Sequence, residues 1–225
     1  LGFSTVASMG DETDLTLAHL LDYLATDSRT DSIAVYLEQL PSPRALFSAL
    51  RAAAAVKPVV VLKAGGGSRN PNSESDAVFN SLLRRAGAVR IPYFVQLFSS
   101  IKVLRSPVRP KGRRIAIVSN GSGPPQLTLD IMGAASAVQR AELSLHTQKI
   151  LAESLEEAAQ VANPVVTRVA LKPETMEAVL KSLTADAGVD GILVLLAPDQ
   201  RVDMGGIVAQ LAHTAASATK PVMAC

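Results

Sequence analysis

The sequence predicts an α/β protein made of two successive parallel-sheet domains, with helices on both faces of each sheet. Three observations carry this. Apolar runs of strand length alternate along the chain with segments whose apolar residues recur at i, i+3, i+4 and i+7, the pattern of strands joined by amphipathic helices. Hydrophobic residues make up 48% of the 225 residues but aromatics only 4%, so the core is built from Ala, Val, Leu and Ile, as in parallel strands buried on both faces. Near the middle, Ser106 to Gly112 reads SPVRPKG, which is linker composition, and each flanking half is long enough to bury a core without disulfides. The expected division is a domain over 1–106, a linker over 107–112 and a second domain over 113–225.

In chain order, Leu17, Leu20, Leu21 and Leu24 mark a helix, and Ile33 to Leu37 is a continuous apolar strand. Leu46, Ala49, Leu50 and Ala53 mark a second helix, Val59 to Leu62 a strand, and Phe79, Leu82, Leu83 and Ala86 a third helix. Phe94, Leu97, Phe98 and Ile101 close the first domain with a helix. After the linker, Ile115 to Val118 is a strand, Leu127 and Ile131 belong to one helix, and Ile150, Leu151 and Leu155 to another. Pro173 suits the first turn of a helix that turns Met176, Val179, Leu180 and Leu183 to one side. Ile192 to Ala197 is the most apolar strand, and Met204, Ile207, Val208 and Leu211 form a last helix before a strand opening at Pro221. Short connections between alternating elements imply right-handed crossovers. The second half repeats the architecture of the first without visible sequence identity.

Charge and cysteine usage narrow the partners. The formal charge is only +2 and the basic residues are scattered singly, so neither nucleic acid nor an anionic membrane surface is an expected partner. The single cysteine, Cys225, rules out a disulfide framework and fits a reducing cytoplasm. No apolar run has the length of a membrane span, and no signal peptide opens the chain. Leu1 stands where a Met would start a protein, and Lys220 to Cys225 reads as a strand cut short, so an excised fragment truncated in its second domain is expected.

Ligands of open α/β sheets bind beyond the carboxyl ends of the strands, where helix N-termini present free N–H groups. Two places fit. One is Ser8-Met9-Gly10-Asp11, ahead of the Leu17 helix, with Gly10 and Asp11 as candidate phosphate ligands. The other is Ser119 to Pro124, where Asn120, Gly121, Ser122 and Gly123 lie between a strand and a helix and the glycines permit close backbone approach to an anion. An ordinary strand-to-helix turn with no ligand is the competing reading. Glu38 follows directly on the strand Ile33 to Leu37, so its carboxylate emerges at the functional edge, either to orient a histidine and accept a proton or simply to be solvated. Gly65 to Ser73 contains almost nothing that packs and reads as a loop. His19, His146 and His213 lie in or beside helices, away from glycine-rich turns, and no ligand cluster suggests a metal.

Residues 2–40, GFSTVASMGDETDLTLAHLLDYLATDSRTDSIAVYLEQL, together with KPVVVLKAG (57–65), SDAVFNSLLRRAGAVR (75–90), RRIAIVSNGSGPP (113–125) and ANPV (162–165), resemble the second and third domains of NDP-forming acyl-CoA synthetases. The resemblance implies two flavodoxin-like, succinyl-CoA synthetase-type domains. It implies a reaction in which a phosphoryl group passes between nucleotide and acyl group through a histidine held at helix N-termini. It maps those helix starts onto Gly10 and onto Asn120 to Gly123, and the carboxylate partner of the histidine onto Glu38. CoA-binding and ATP-grasp domains or subunits are the implied partners, with CoA and ATP or ADP with magnesium as cofactors of the full-length family and none held by this fragment. A homo-oligomer is also implied.

The chain departs from the family pattern in one interval. The family carries a longer loop ending in a His-Thr-Gly-Ala-like motif before the SDAV helix, whereas here GGGSRNPNSE, residues 65–74, fills that space without a histidine. Val166 also replaces an acidic residue common after Asn-Pro-Val. Three accounts fit the short interval: a natural shortening, an engineered Gly-Ser replacement, or a longer loop absent from this sequence. The expectation is a ligase-like core without the phosphorylated histidine. The alternatives are part of an active acyl-CoA ligase, or the regulatory region of a Pat-type protein lysine acetyltransferase, which also lacks that histidine and is fused to an acyltransferase domain.

Overall fold

The computed structural model describes the chain apart from residues 1, 11, 13, 39–41, 65–73, 135–136, 156–159, 168–171 and 201. The candidate ligand Asp11 and nearly all of the glycine-rich loop therefore lie outside the described residues. Contacts divide the chain into two compact units, Leu1–Ser106 and Pro107–Cys225. Each is a parallel sheet flanked by helices.

Unit 1 runs α1 (Leu17–Thr26), β1 (Ile33–Leu37), α2 (Pro43–Val56), β2 (Val59–Lys63), α3 (Glu74–Ala86), β3 (Val89–Ile91) and α4 (Gln96–Leu104). The strands are parallel in the order β1-β2-β3, with Leu37 opposite Lys63 and Val61 opposite Arg90. The central strand β2 is buried from Val59 to Leu62 because it is covered on both faces. Val59 and Val61 join the core formed with α1, α2 and α3 through Leu21, Leu50 and Phe79. Val60 and Leu62 join Ile91 and Ile101, the latter from α4, on the opposite face. β1 alternates buried and exposed, so Tyr36 faces outward.

Two sequence expectations are corrected in this unit. The strand β3 has only three residues with Arg90 at its centre, too short and too polar to register as an apolar run. Phe94 lies ahead of α4 rather than in it, and is exposed together with Phe98, whose ring it meets edge-on at 6.5 Å. At the end of α3, Gly87 takes φ 82° and the N–H of Ala88 donates to Leu83 C=O at 3.0 Å, so the helix terminates in the left-handed turn that glycine favours.

Unit 2 runs β4 (Arg114–Ser119), α5 (Gly123–Ala134), β5 (Gln139–Arg140), α6 (Leu145–Ser154), β6 (Val165–Val166), α7 (Pro173–Ala185), β7 (Gly191–Leu195), α8 (Met204–Ser217) and β8 (Val222–Ala224). β4 is the centre of a parallel sheet. β7 pairs along one side of it, followed by β8. The other side is shared: β5 pairs with Arg114 and Ile115, and β6 with Val118 and Ser119. These two-residue strands are too short to show as periodic patterns. Met176, Val179, Leu180 and Leu183 of α7 are fully buried, as their spacing predicts. Leu127 and Ile131, in contrast, are on α5 but exposed.

The gap between β5 and β6 is closed by one side chain. The Asn163 amide nitrogen donates to the carbonyls of Ile115 and Ala141, and its oxygen accepts the Ile117 N–H, each at 2.9 Å. A primary amide has the same donor and acceptor as a peptide, so Asn163 stands in for the missing strand residue. This is the physical content of the ANPV segment.

The two units share more than architecture. Leu24, Asp27, Asp31, Ile33, Val35 and Leu37 recur, with one constant offset, as Leu183, Asp186, Asp190, Ile192, Val194 and Leu196. The expectation of no sequence identity is thereby corrected. Asp27 and Asp186 are the C-caps of α1 and α7. Each carboxylate accepts the N–H two residues on, from Arg29 and Gly188, and each carbonyl accepts the N–H three residues on, from Thr30 and Val189. Each carbonyl also accepts from a distant lysine, Lys57 or Lys220, in the Lys-Pro pair that leads into β2 or β8. Lysine at a helix C-terminus satisfies orphan carbonyls and complements the dipole.

Two predictions follow from this packing. Asn163→Ala leaves the Ile117 N–H and the Ala141 C=O without that partner, and a buried orphan costs roughly 1–3 kcal/mol, so urea unfolding should show a loss of about 2–4 kcal/mol. The Asp190 carboxyl is held well below its usual range by hydrogen bonds from the Arg114 guanidinium and backbone N–H. A lowered folded pKa makes its stabilisation complete above the unfolded value of about 3.9, and lost as pH falls through the lower folded value. Acid unfolding curves of Asp190→Asn should therefore be flatter than wild type below about pH 4.

Candidate functional site

At the carboxyl end of β4 the chain turns through Asn120, Gly121, Ser122 and Gly123 into α5. Asn120 fixes this turn: its amide donates to Ala197 C=O and accepts the Ala197 N–H, both at 2.7 Å, prolonging the β4–β7 ladder by one side-chain rung. The fully buried Ser119 accepts the Gly121 N–H on its Oγ at 3.2 Å. The amide of Asn120 is thus engaged as a brace and the Gly121 N–H is taken by Ser119, leaving the backbone of Ser122 and Gly123 as the exposed lining. A Cβ built on Gly121 or Gly123 would meet nothing within 4 Å, and neither residue has a left-handed φ. The fold of unit 2 gives no steric reason for these glycines, whereas close approach of an external group would. Pro124 and Pro125 lack N–H groups, so the first turn of α5 offers fewer donors than an ordinary helix start.

The Gly10 segment is built differently. α1 begins seven residues later, at Leu17, with Thr16 as its N-cap. The Leu17 N–H donates to the Glu12 carboxylate at 3.1 Å, and the His19 N–H to Thr16 Oγ1 at 3.4 Å. Two first-turn donors are therefore taken by the chain's own oxygens. Glu12 holds φ 51°, an uncommon conformation for a non-glycine residue, in reaching that position. Gly10 itself is exposed, and a Cβ there would meet nothing within 4 Å. His19 stands at this helix start, with its Nδ1 3.2 Å from Thr16 Oγ1.

Glu38 is exposed, one residue beyond β1. Because Leu37 pairs with Lys63 and the Ala64 N–H donates to Leu37 C=O at 2.7 Å, Glu38 and Lys63 lie at the same carboxyl edge. Sequence reasoning missed a charged cluster at this edge. The buried carboxylate of Asp76 accepts two hydrogen bonds from Arg90, at 2.9 and 3.2 Å, and stands 3.8 Å from Lys63 Nζ. Arg90 also donates to Asn80 at 2.7 Å, and both cations lie over the Phe79 ring. The available signal was a lysine ending an otherwise apolar strand.

Structure thus keeps Asn120 to Gly123 together as one turn on unit 2, and puts Glu38 on the edge of unit 1 beside Lys63. Among the described residues, no three His, Cys, Asp or Glu side chains gather as a metal site, and His19, His146 and His213 are all exposed. No helix of the described residues is long and apolar enough to cross a membrane.

Comparison with known proteins places this geometry. Residues 1–104 match the succinyl-CoA ligase-like flavodoxin domain. The alpha subunit of ADP-forming acetate–CoA ligase II from Pyrococcus furiosus is 29% identical over 204 residues, covering 87% of this chain and 44% of the relative. ADP-forming acetate–CoA ligase II of Archaeoglobus fulgidus is 32% identical over 179 residues, covering 73% of this chain and 25% of the relative. The apo form of dinucleotide-forming acetyl-coenzyme A synthetase 1 from Ca. Korarchaeum cryptofilum has a TM-score of 0.78 at 23% identity, over 96% of this chain and 49% of that one, a likeness of fold. The chain spans less than half the length of these relatives. On the family match, the shared segments and the two parallel-sheet units, the chain belongs to the NDP-forming acyl-CoA synthetase, succinyl-CoA ligase-like family.

Proposed function

We propose that the chain is the phosphate-handling core of an acyl-CoA synthetase homologue, keeping the sheet-edge anion turn of the family without its histidine relay. The observation that carries this is the turn Asn120 to Gly123: braced by Asn120 against Ala197, it holds two glycines whose missing side chains leave open space rather than relieve a clash. With the Gly121 N–H taken by Ser119, the N–H groups of Ser122 and Gly123 held in this turn can receive a phosphate oxygen. Gly10 and Glu38 are the corresponding candidates on unit 1. Asp11 completes that set by sequence alone.

The relay is a separate matter. A phosphoryl carrier needs a nucleophilic histidine oriented by a carboxylate. Glu38 is available for the second role, but the interval 65–74 contains no histidine for the first. On the family resemblance, the magnesium nucleotide and CoA belong to ATP-grasp and CoA-binding domains or subunits. When bound there, the nucleotide would supply the phosphoryl group. This chain's part is to hold an anion at the glycine turn and to keep the Glu38 carboxylate at the sheet edge. The same reading places it in the cytoplasm.

The test combines mass and binding. Incubated with a partner ATP-grasp domain, magnesium, ATP, acyl-CoA and phosphate, the chain should keep an intact mass free of acid-labile phosphate. An acid-labile phosphohistidine on this chain would overturn the relay-free reading in favour of a working ligase. Inorganic phosphate binding, followed by amide resonances at the turn, should weaken at least tenfold in Gly121→Val, because a branched side chain fills the space the anion needs. An unchanged affinity would remove the anion site from the proposal.

A further inference from the structure

Among the described side chains, the charges of the Asp76 cluster do not balance. Two cations, Lys63 and Arg90, face a single carboxylate, and Arg90 takes both Asp76 oxygens by short hydrogen bonds. Lys63 is left with an ion pair of 3.8 Å, beyond hydrogen-bond length, and with the face of Phe79 at 5.9 Å. Its side chain is only 17% exposed. Lys63 Nζ is not among the buried polar atoms without a partner, so the ammonium opens to solvent at the rim of the cluster, where its N–H donors are available to an anion. Among the described residues, none gives Lys63 Nζ a shorter ionic contact than Asp76.

Position adds a second argument. Lys63 is the last residue of β2, at the carboxyl edge where open α/β sheets bind ligands, in register with Leu37 and so beside Glu38. Arg90 locks Asp76, and Asn80 and Phe79 hold Arg90, so the surplus charge cannot be neutralised by a shift of Asp76 toward Lys63 without breaking the bidentate pair. The cluster thus carries at its rim one cation, Lys63, held by a longer ion pair than that of Arg90.

We propose that Lys63 is an oxyanion-binding residue, receiving a phosphate-class ligand at the carboxyl edge of the unit 1 sheet, with Asp76 and Arg90 as its positioning residues. The choice of phosphate rests on the reading of the chain as a phosphate-handling core, and the cationic position itself does not. Glu38, at the same edge, would then face the bound oxyanion, which suits a carboxylate that exchanges a proton with it.

The test is a titration of the whole chain with inorganic phosphate, followed through the Lys63 Nζ resonance and the amides of Lys63 and Ala64. Saturable shifts are expected there in wild type. Lys63→Met should weaken this response at least tenfold, with thermal unfolding showing a folded protein, and Lys63→Arg should restore it. If the Met variant does not fold, the wild-type Nζ resonance decides alone: no saturable shift overturns the proposal. Equal affinity in wild type and Lys63→Met overturns it too. Gly121→Val keeps the two sites apart: a response lost at the turn but kept at Lys63 supports the proposal, whereas a wild-type response at Lys63 with none at the turn removes the turn's anion site and leaves Lys63 standing.

Discussion

Unit 2 depends on the hydrogen bonding of one strand, β4. It is paired on both sides, so every backbone group along it needs a partner away from water. The chain supplies one side with two short strands that do not meet, and the interval would leave the Ile117 N–H and the Ala141 C=O without a partner if nothing filled it. Asn163 fills it with a side-chain amide. Asn120 repeats the device at the end of the same strand, carrying the ladder past Ser119 to Ala197. One amide completes the core of the sheet, and the other sets the turn that leads into α5.

A second constraint is common to both units. A helix that ends against a buried strand must satisfy its last carbonyls within a few residues. Asp27 and Asp186 do so with the same local turn, and Lys57 and Lys220 reach the same carbonyl from the start of a neighbouring strand. The shared spacing of leucine, aspartate, isoleucine and valine around these caps is the residue-level record of an internal repeat. In that repeat Glu38 follows Leu37 as Ala197 follows Leu196. The position that unit 2 uses to brace its glycine turn is, in unit 1, the exposed carboxylate Glu38 at the sheet edge.

The edges of the two sheets differ in kind. The unit 2 edge offers backbone from a braced turn. The unit 1 edge carries Glu38, the surplus cation Lys63 and a helix start whose donors are partly occupied by Glu12 and Thr16. Phosphate chemistry needs both kinds of group, since fixed dipoles stabilise charge while titratable side chains move protons.

Much of this was written in periodicity. The helix faces of Leu17 to Leu24 and Met176 to Leu183, and the strand Ile33 to Leu37, are legible because apolar spacing reports burial directly. The glycine turn at Asn120 and the edge position of Glu38 are legible for a similar reason: both sit where a strand pattern stops. The short strands β3, β5 and β6 are not, because two or three residues held by neighbours have no period of their own. Nor does the sequence tell which side of a helix is covered, as the exposed Leu127 and Ile131 show. By itself the sequence determined the fold class, the family and the candidate edges. Only the tertiary structure decided that Asn163 is a strand substitute, that Asn120 is a brace, and that Lys63 shares Asp76 with Arg90. Those roles depend on atoms brought together from distant segments, and local spacing carries no record of them.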